Sequence, residues 1–203
     1  MSELTYEAKD TEAVLETFEW DRLWIEHTEN TESYRVLYIG DSISYHTAGE
    51  LNARGKGEIL FDNFATSSAV DNPYLKDCLS LFKKRLVKTD AVVFNNGLHG
   101  WHLEDESGYK EHYEEIIMFI KSLFSDSEIF VALTTSVRDT ERDERVAVRN
   151  KVVCSLAEKH GVSVIDLFDI TYKNKELLSD GVHFKPEGYG LIAEEIIRNI
   201  REG

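Results

Sequence analysis

The feature that most constrains this chain is a short apolar run, residues 36–39, that ends in Gly40, Asp41 and Ser42. A short run rich in β-branched residues is typical of a strand buried on both faces of a parallel sheet. Gly40 permits a tight turn, and Asp41 and Ser42 are residue types that often cap the start of a helix. Because ligands gather at the carboxyl ends of strands in open α/β sheets, Ser42 is a candidate functional residue. On these residues alone, an ordinary Gly-Asp-Ser turn is the alternative.

Apolar runs and amphipathic segments alternate along the rest of the chain. Strands are predicted over residues 35–39, 59–64, 91–96, 129–133 and 162–168, and the longer helices over 70–86, 109–124, 141–160 and 186–200. Such alternation implies parallel strand pairing through right-handed crossovers. We therefore predict an α/β fold, a three-layer α/β/α architecture with a five-stranded parallel, flavodoxin-like sheet.

A second polar cluster lies near the other end of the chain, where Asp180 precedes His183 by three residues and Pro186 opens a closing helix. A serine nucleophile needs a base to take its proton, and the base needs a partner that fixes its tautomer. Asp180 and His183 can supply both roles, because a spacing of three around a turn brings the side chains together. A histidine before a helix can also simply cap or pack, so the combination with Ser42 is what indicates nucleophilic catalysis.

Together the two motifs resemble the SGNH, or GDSL-type, serine hydrolases, an esterase and lipase family marked by four sequence blocks. The first block matches at Gly40-Asp41-Ser42 and the last at Asp180-x-x-His183. The resemblance spans about residues 35–200 and implies a catalytic triad of Ser42, His183 and Asp180. It also implies an esterase for small acyl esters that works through an acyl-enzyme intermediate and needs no cofactor. O-acetylated sugars and short-chain lipids are common substrates in the family.

The two middle blocks depart from the family pattern. Ser68 stands at the usual glycine position of the second block, where a backbone N–H is all that an oxyanion hole requires. In the third block His99 replaces the usual asparagine, and Asn95 and Asn96 end the preceding strand. The resemblance therefore predicts an oxyanion hole formed by the backbone N–H groups of Ser42 and Ser68 and by one side chain. That side chain is Asn95, Asn96 or His99.

The segment after His99 offers candidate substrate contacts. Trp101 and His102 follow the third predicted strand and would lie beside Ser42, and an aromatic ring can stack on a sugar or line an acyl pocket. We predict that Asn96, Trp101 and His102 bind substrate, with an acetylated carbohydrate favoured. Alternatively, the tryptophan packs under its own loop, or the two histidines and the carboxylates that follow bind zinc. No second cluster with ligand spacing occurs in the sequence, so we predict no metal.

The net charge of −15, from 23 Lys plus Arg against 38 Asp plus Glu, restricts the possible partners. Such a surface repels nucleic acid and anionic membranes, because phosphate contacts need clustered Lys and Arg. Cys78 and Cys154 are expected to be buried small hydrophobic residues rather than a disulfide pair. The sequence begins without the features of a secretory signal, and no stretch approaches the roughly 18 apolar residues of a membrane span. We therefore predict a cytoplasmic protein that binds a small-molecule ester, with no nucleic-acid or membrane partner.

Residues 1–33 form an acidic extension with ten acids and two bases, ahead of a hydrolase domain over residues 34–203. Apolar residues in the extension predict a helix that packs one face on that domain, with Trp20 and Trp24 as anchors. Exposed aromatic residues also favour interfaces. The extension could therefore instead cover the pocket or form a homo-oligomer contact.

Two functions of other classes fit parts of the sequence. The first is a catalytically impaired SGNH-like module that binds a ligand, which the altered middle blocks favour and the intact Ser42, Asp180 and His183 oppose. The second is a flavodoxin-like receiver of phosphate on Asp41. Receivers need a cluster of acids at the first strand and a lysine after a late strand, whereas Asp41 stands alone and the fourth strand ends in Thr134-Thr135-Ser136.

Overall fold

Strands and helices alternate through residues 14–104 and 106–202, which are the residues that the computed structural model describes. The strands are β1 (Asp21–Trp24), β2 (Tyr34–Gly40), β3 (Ile59–Thr66), β4 (Ala91–Phe94), β5 (Glu128–Ala132) and β6 (Ser163–Ile165). The helices are α1 (Ser42–Gly55), α2 (Leu75–Lys83), α3 (Glu106–Leu123), α4 (Thr140–His160), α5 (Leu167–Tyr172) and α6 (Pro186–Glu202), with a 3₁₀ turn at Lys175–Leu177.

The strands form one sheet in the order β1-β3-β2-β4-β5-β6. Strands β2 to β6 pair in parallel in a flavodoxin-like order, and β1 runs antiparallel to β3. Helices α1 and α6 pack on one face, while α2, α3 and the inner side of α4 pack on the other. The three-layer α/β/α prediction is confirmed, except that the sheet has six strands rather than five.

The additional strand comes from the acidic extension. The predicted helix is wrong for residues 14–33, which contain β1 and no helix, and residues 1–13 lie outside the described part of the chain. These residues form a strand because successive side chains point to opposite faces of the sheet. Leu23 packs toward the α2 and α3 side, whereas Arg22 and Trp24 face the side that carries α1. By pairing with β3, β1 satisfies backbone groups that an open sheet edge would expose.

Smaller differences concern ends of elements and the cysteines. The strand predicted to run to residue 168 ends at Ile165, because Asp166 caps α5 by accepting from the N–H of Asp169. Cys78 is half-buried and Cys154 is exposed, so the expectation that both are buried is wrong; both are free thiols. Within the described ranges, the structure has no helix long and apolar enough to span a membrane.

A buried ion pair fixes the loop that joins β1 to β2. The Arg35 guanidinium, which is fully buried, donates to both carboxylate oxygens of Asp62 at 2.7 and 3.2 Å. It also donates to the carbonyl oxygens of Glu26, His27 and Asn30. The edge strand and its loop are therefore held rigidly against the sheet.

Candidate active site

Ser42 is the first residue of α1, directly after the carboxyl end of β2. The helix begins here because the Asp41 side chain accepts a hydrogen bond from the N–H of Ile43 at 2.8 Å. Gly40 allows the close turn, since a Cβ there would lie 2.7 Å from the Cβ of Ser44. The strand-to-helix turn thus presents Ser42 at the sheet edge where the parallel strands end.

The structure brings Ser42, His183 and Asp180 together. The Ser42 Oγ lies 3.0 Å from His183 Nε2, and His183 Nδ1 lies 2.9 Å from an Asp180 carboxylate oxygen. With Nδ1–H donating to the carboxylate, Nε2 is the acceptor for the serine hydroxyl proton. This is the hydrogen-bonded chain that activates a serine nucleophile in a Ser-His-Asp arrangement.

Asp180 is well suited to fix the imidazole, although its side chain is 58% exposed. Its other carboxylate oxygen accepts the backbone N–H groups of Val182 and His183 at 2.7 and 2.8 Å. These backbone bonds, followed by the bond to the His183 ring, lower the pKa of Asp180 to about 2. The carboxylate is therefore ionised at neutral pH.

A short backbone clamp holds the loop that carries His183. The N–H of Ser179 donates to the His183 carbonyl at 2.8 Å, and the N–H of Lys185 donates to the Leu177 carbonyl at 2.8 Å. The His183 ring also makes an edge-on contact with the His46 ring of α1, with 5.7 Å between centroids. The imidazole is thus positioned by its own loop and by the helix that carries Ser42.

The two predicted backbone donors of the oxyanion hole differ in their hydrogen bonds. The Ser42 N–H lies in the first turn of α1, where a backbone N–H has no acceptor within the helix. The Ser68 N–H instead donates to Thr66 Oγ1 at 2.9 Å. The Ser68 N–H is therefore already used inside its own turn, and its role in the oxyanion hole stays a prediction.

The candidate side chains for the oxyanion hole also differ in their hydrogen bonds and in whether they line the cleft. Asn95 is buried, and its amide donates to the Ala132 carbonyl at 2.8 Å and to Thr134 Oγ1 at 3.2 Å. His99 lines the cleft that contains Ser42, and its Nδ1 lies 2.9 Å from Glu16 Oε1. Of the three candidate side chains, His99 is thus the one that lines the same cleft as Ser42.

Asn96, a predicted substrate contact, is not among the described residues that line the cleft of Ser42. It is buried, its side-chain amide donates to the Ser68 carbonyl at 2.8 Å, and its backbone carbonyl accepts from the Tyr109 hydroxyl at 2.6 Å. Asn96 therefore joins the second-block loop to the third.

Trp101 and His102 both line the Ser42 cleft, so their predicted role in substrate binding remains open. His102 Nε2 lies 2.7 Å from an Asp71 carboxylate oxygen. Three guanidinium groups lie 4.9–5.6 Å from the Trp101 ring centroid, those of Arg142, Arg145 and Arg149. Among the described residues, no three His, Cys, Asp or Glu side chains are grouped to hold a metal ion.

The cleft has a volume of about 720 Å³, and part of its wall comes from the segment before β1. Residues 14–18 and Trp20 line it together with Ser42 and His183. The segment is attached beside the cleft because Trp20 and Ser67 exchange hydrogen bonds at 2.9 and 3.0 Å. Residues 14–20 therefore form part of the cleft wall, and the alternative in which the extension covers the pocket stays a prediction.

Arg149 is a residue beside the site that the sequence did not indicate. The Arg149 side chain is fully buried and donates to the carbonyls of Gly97, His99 and Gly100 at 2.8–3.2 Å. It also contacts Glu106 at 3.2 Å. One guanidinium thus holds the loop that carries His99, and an arginine among acids in a helix gave no signal of this.

The pH dependence of thermal stability tests the electrostatic environment of Asp41. Burial raises the pKa of its carboxyl, an effect only partly opposed by His99 and by the Ile43 N–H. A raised folded-state pKa stabilises the fold at low pH, and that stabilisation is lost as pH rises through the folded-state value. As the pH rises from about 4 to about 8, the thermal stability of Asp41→Asn should therefore increase relative to that of the wild type. The measurement is the difference in unfolding midpoint across that range.

The exposed Asp77 supplies the control for this measurement. Asp77→Asn should leave the difference in midpoint nearly independent of pH. If the midpoint difference for Asp41→Asn were also independent of pH, burial would not raise the pKa of the Asp41 carboxyl.

The geometry defines a class: an α/β/α protein with a Ser-His-Asp hydrogen-bonded chain at the carboxyl edge of its sheet. No family model matches the sequence, and no curated protein is significantly similar to it. Solved structures are similar. An acetyl xylan esterase, AlAXEase, has 17% identity and a TM-score of 0.67, and the match covers 82% of this chain and 99% of that one.

Two further structures agree with it. A lipase/acylhydrolase from Enterococcus faecalis has 20% identity and a TM-score of 0.67 over 83% of this chain and 96% of that chain. A member of the lipolytic protein G-D-S-L family from Veillonella parvula has 16% identity and a TM-score of 0.68, over 82% and 97%. The chain therefore has the fold of the SGNH/GDSL hydrolases.

Proposed function

We propose that the protein is a serine esterase that hydrolyses small acyl esters, with O-acetylated carbohydrates as the favoured substrates. The observation that carries the proposal is the continuous hydrogen-bonded chain from Ser42 through His183 to Asp180. The acetyl xylan esterase with a similar fold supports the choice of an acetyl ester of a sugar.

The mechanism follows from the positions of these groups. Ser42 Oγ attacks the ester carbonyl while His183 Nε2 takes its proton, and the Asp180 carboxylate stabilises the imidazolium that forms. The Ser42 N–H stabilises the tetrahedral oxyanion. Because His99 Nδ1 lies 2.9 Å from Glu16 Oε1, the His99 ring adds a donor to the hole only in the form in which Nε2 as well as Nδ1 carries a proton. His183 then protonates the leaving alcohol, and water attacks the acyl-enzyme by the reverse proton route to release the acid and free Ser42.

The proposed preference for a short acyl group draws on the apolar residues beside Ser42. They include Leu98, Val137 and Val182, of which Leu98 and Val137 are buried. These side chains give an acetyl group an apolar surface to contact, and the polar residues His99, His102 and Arg142 of the same cleft suit a hydroxylated alcohol.

Hydrolysis of p-nitrophenyl acetate, butyrate and octanoate tests the proposed acyl preference. We expect kcat/KM to be highest for the acetate and to fall as the chain lengthens, because additional methylenes have to displace packed side chains. Acetylated xylose and xylo-oligosaccharides are then the natural esters to compare. A rise in kcat/KM with chain length would contradict the proposal and indicate a lipase.

Asp180→Asn tests the orientation of the imidazole. An asparagine amide can donate to Nδ1 and thereby place the ring proton on Nε2, where it blocks acceptance of the serine proton. We expect kcat to fall by roughly 10²-fold or more with little change in KM. Glu187→Gln, an exposed carboxylate in the first turn of α6, is the control and should keep wild-type kcat. An unchanged kcat in Asp180→Asn would remove Asp180 from the mechanism.

A ligand-binding module without turnover is the second candidate. It is favoured by the engaged Ser68 N–H and Asn95 amide, which leave the oxyanion hole with fewer donors than the family pattern has. Folded protein that binds acetylated sugars but releases no acetate would select this candidate over the esterase.

A further inference from the structure

A second groove, of about 630 Å³, lies between the edge strand β1 and helix α1. Its walls include Arg22, Trp24, Tyr45, His46, Asn52 and Leu60, and none of its lining residues lines the Ser42 cleft. The groove exists because β1 extends the sheet beyond the width that α1 covers. Apart from His46, whose ring contacts that of His183, its side chains have no part in the mechanism proposed above.

The chemically distinctive group in this groove is the Arg22 guanidinium. It lies 4.0 Å from the Tyr45 ring centroid and 5.7 Å from that of Trp24. Within the described chain it makes no ion pair and no hydrogen bond, in contrast to the fully bonded Arg35 and Arg149. Stacking on a ring occupies the face of a guanidinium and leaves its in-plane N–H donors free.

The surroundings of Arg22 favour an anion despite the net charge of −15. His27 and His46 also line the groove, and Glu26 is the one carboxylate among the described residues that line it. His27 Nδ1 lies 3.1 Å from Glu29, which is not a lining residue. That carboxylate already accepts from the Trp24 indole N–H at 2.5 Å. An unpaired cation in so acidic a chain therefore offers a local site for a ligand carboxylate, which can pair with the guanidinium through two parallel hydrogen bonds.

The groove begins next to the candidate nucleophile. Tyr45 and His46 follow Ser42 by three and four residues on α1, so all three lie on one side of the helix. The His46 ring contacts the His183 ring at 5.7 Å and the Tyr45 ring at 4.6 Å, and Tyr45 in turn contacts Arg22. A row of side chains thus leads from the imidazole to the guanidinium.

We propose that this groove binds an acidic sugar unit in the alcohol portion of the substrate, with Arg22 pairing with its carboxylate. The half-exposed Trp24 and the Tyr45 ring supply apolar faces for the sugar. This inference rests on the proposed function and narrows its substrates to O-acylated saccharides that carry a uronic acid. The groove is prebuilt, because Arg35 holds the carbonyls of Glu26 and His27 at its rim.

Binding to the Ser42→Ala protein tests the proposal without turnover. Titration calorimetry with di-galacturonate is expected to give at least roughly tenfold tighter binding than with the neutral digalactose, because a charge-assisted pair is added. Arg22→Gln in the same background should abolish that difference, and Arg22→Lys should retain part of it. Arg85→Gln removes one exposed positive charge at the end of α2, on the other face of the sheet, and should leave the difference intact.

Three results would overturn the proposal. The first is equal binding of the acidic and neutral sugars. The second is an equal loss of the affinity difference in Arg22→Gln and Arg85→Gln. The third is tight Arg22-dependent binding of glucose 6-phosphate without binding of galacturonate. The last would assign the guanidinium to a phosphate group. Because binding is measured on Ser42→Ala, absence of ester hydrolysis in the wild type would refute the proposed function while leaving this result unaffected.

Discussion

Replacement of Ser42 by alanine is expected to lower kcat for p-nitrophenyl acetate by at least about 10⁴-fold, since the variant lacks the oxygen that forms the acyl-enzyme. Among the described residues, the Ser42 side chain makes its hydrogen bond only to His183, at 3.0 Å, and the start of α1 depends on the Asp41 cap instead. The fold should therefore survive. The measurement is steady-state hydrolysis, with circular dichroism to establish that the variant is folded.

Ser44→Ala is the matched control, because Ser44 lies two residues further along α1 and its hydroxyl donates to the Asp41 carbonyl at 2.8 Å. It should keep most of the wild-type turnover. A fluorophosphonate probe should label the wild type and Ser44→Ala and leave Ser42→Ala unlabelled. Full turnover in a folded Ser42→Ala protein would refute the esterase mechanism.

The largest expected effect on stability comes from Arg149→Met. Methionine fills a similar volume but leaves the carbonyls of Gly97, His99 and Gly100 buried without their donor. We expect the free energy of unfolding to fall by about 3–5 kcal/mol, since several charge-assisted hydrogen bonds are lost together. Urea unfolding at neutral pH measures this change.

Arg142→Met provides the comparison on the same helix. The Arg142 guanidinium contacts the Trp101 ring at 5.6 Å and, among the described residues, makes no hydrogen bond or ion pair. Its loss should change the free energy of unfolding by less than about 1 kcal/mol. Equal effects in the two variants would show that Arg149 acts by packing alone.

Most of the layered fold could be predicted because the information is local. Residues 36–39 are apolar without interruption, as a central parallel strand has to be, and the amphipathic segments mark helices that cover such strands. Strand β1 was missed, since four residues with two apolar side chains are compatible with either structure. Only its pairing with the open edge of β3 makes it a strand.

The site was predictable to the extent that chemistry restricts the residue types. A serine after a buried strand and an Asp-x-x-His before a closing helix imply a nucleophile, a base and its partner even though 141 residues separate Ser42 from His183. The oxyanion hole was less predictable, because it depends on which donors remain free. Ser68 and Asn95 are of suitable types, yet their N–H groups are used elsewhere in the fold.

The sequence by itself determined the α/β layering and the candidate triad, because hydrophobic periodicity and catalytic residue types are properties of short segments. Only the tertiary structure decided the sixth strand, the placing of residues 14–20 beside the cleft, and the roles of Arg149 and Arg22. These features depend on long-range partners. The Arg149 guanidinium is buried and donates to loop carbonyls, whereas the Arg22 guanidinium stacks on the Tyr45 ring and has no ion-pair partner among the described residues. The physical reason is that the sequence records which groups can donate, whereas only the folded chain determines which acceptors they meet.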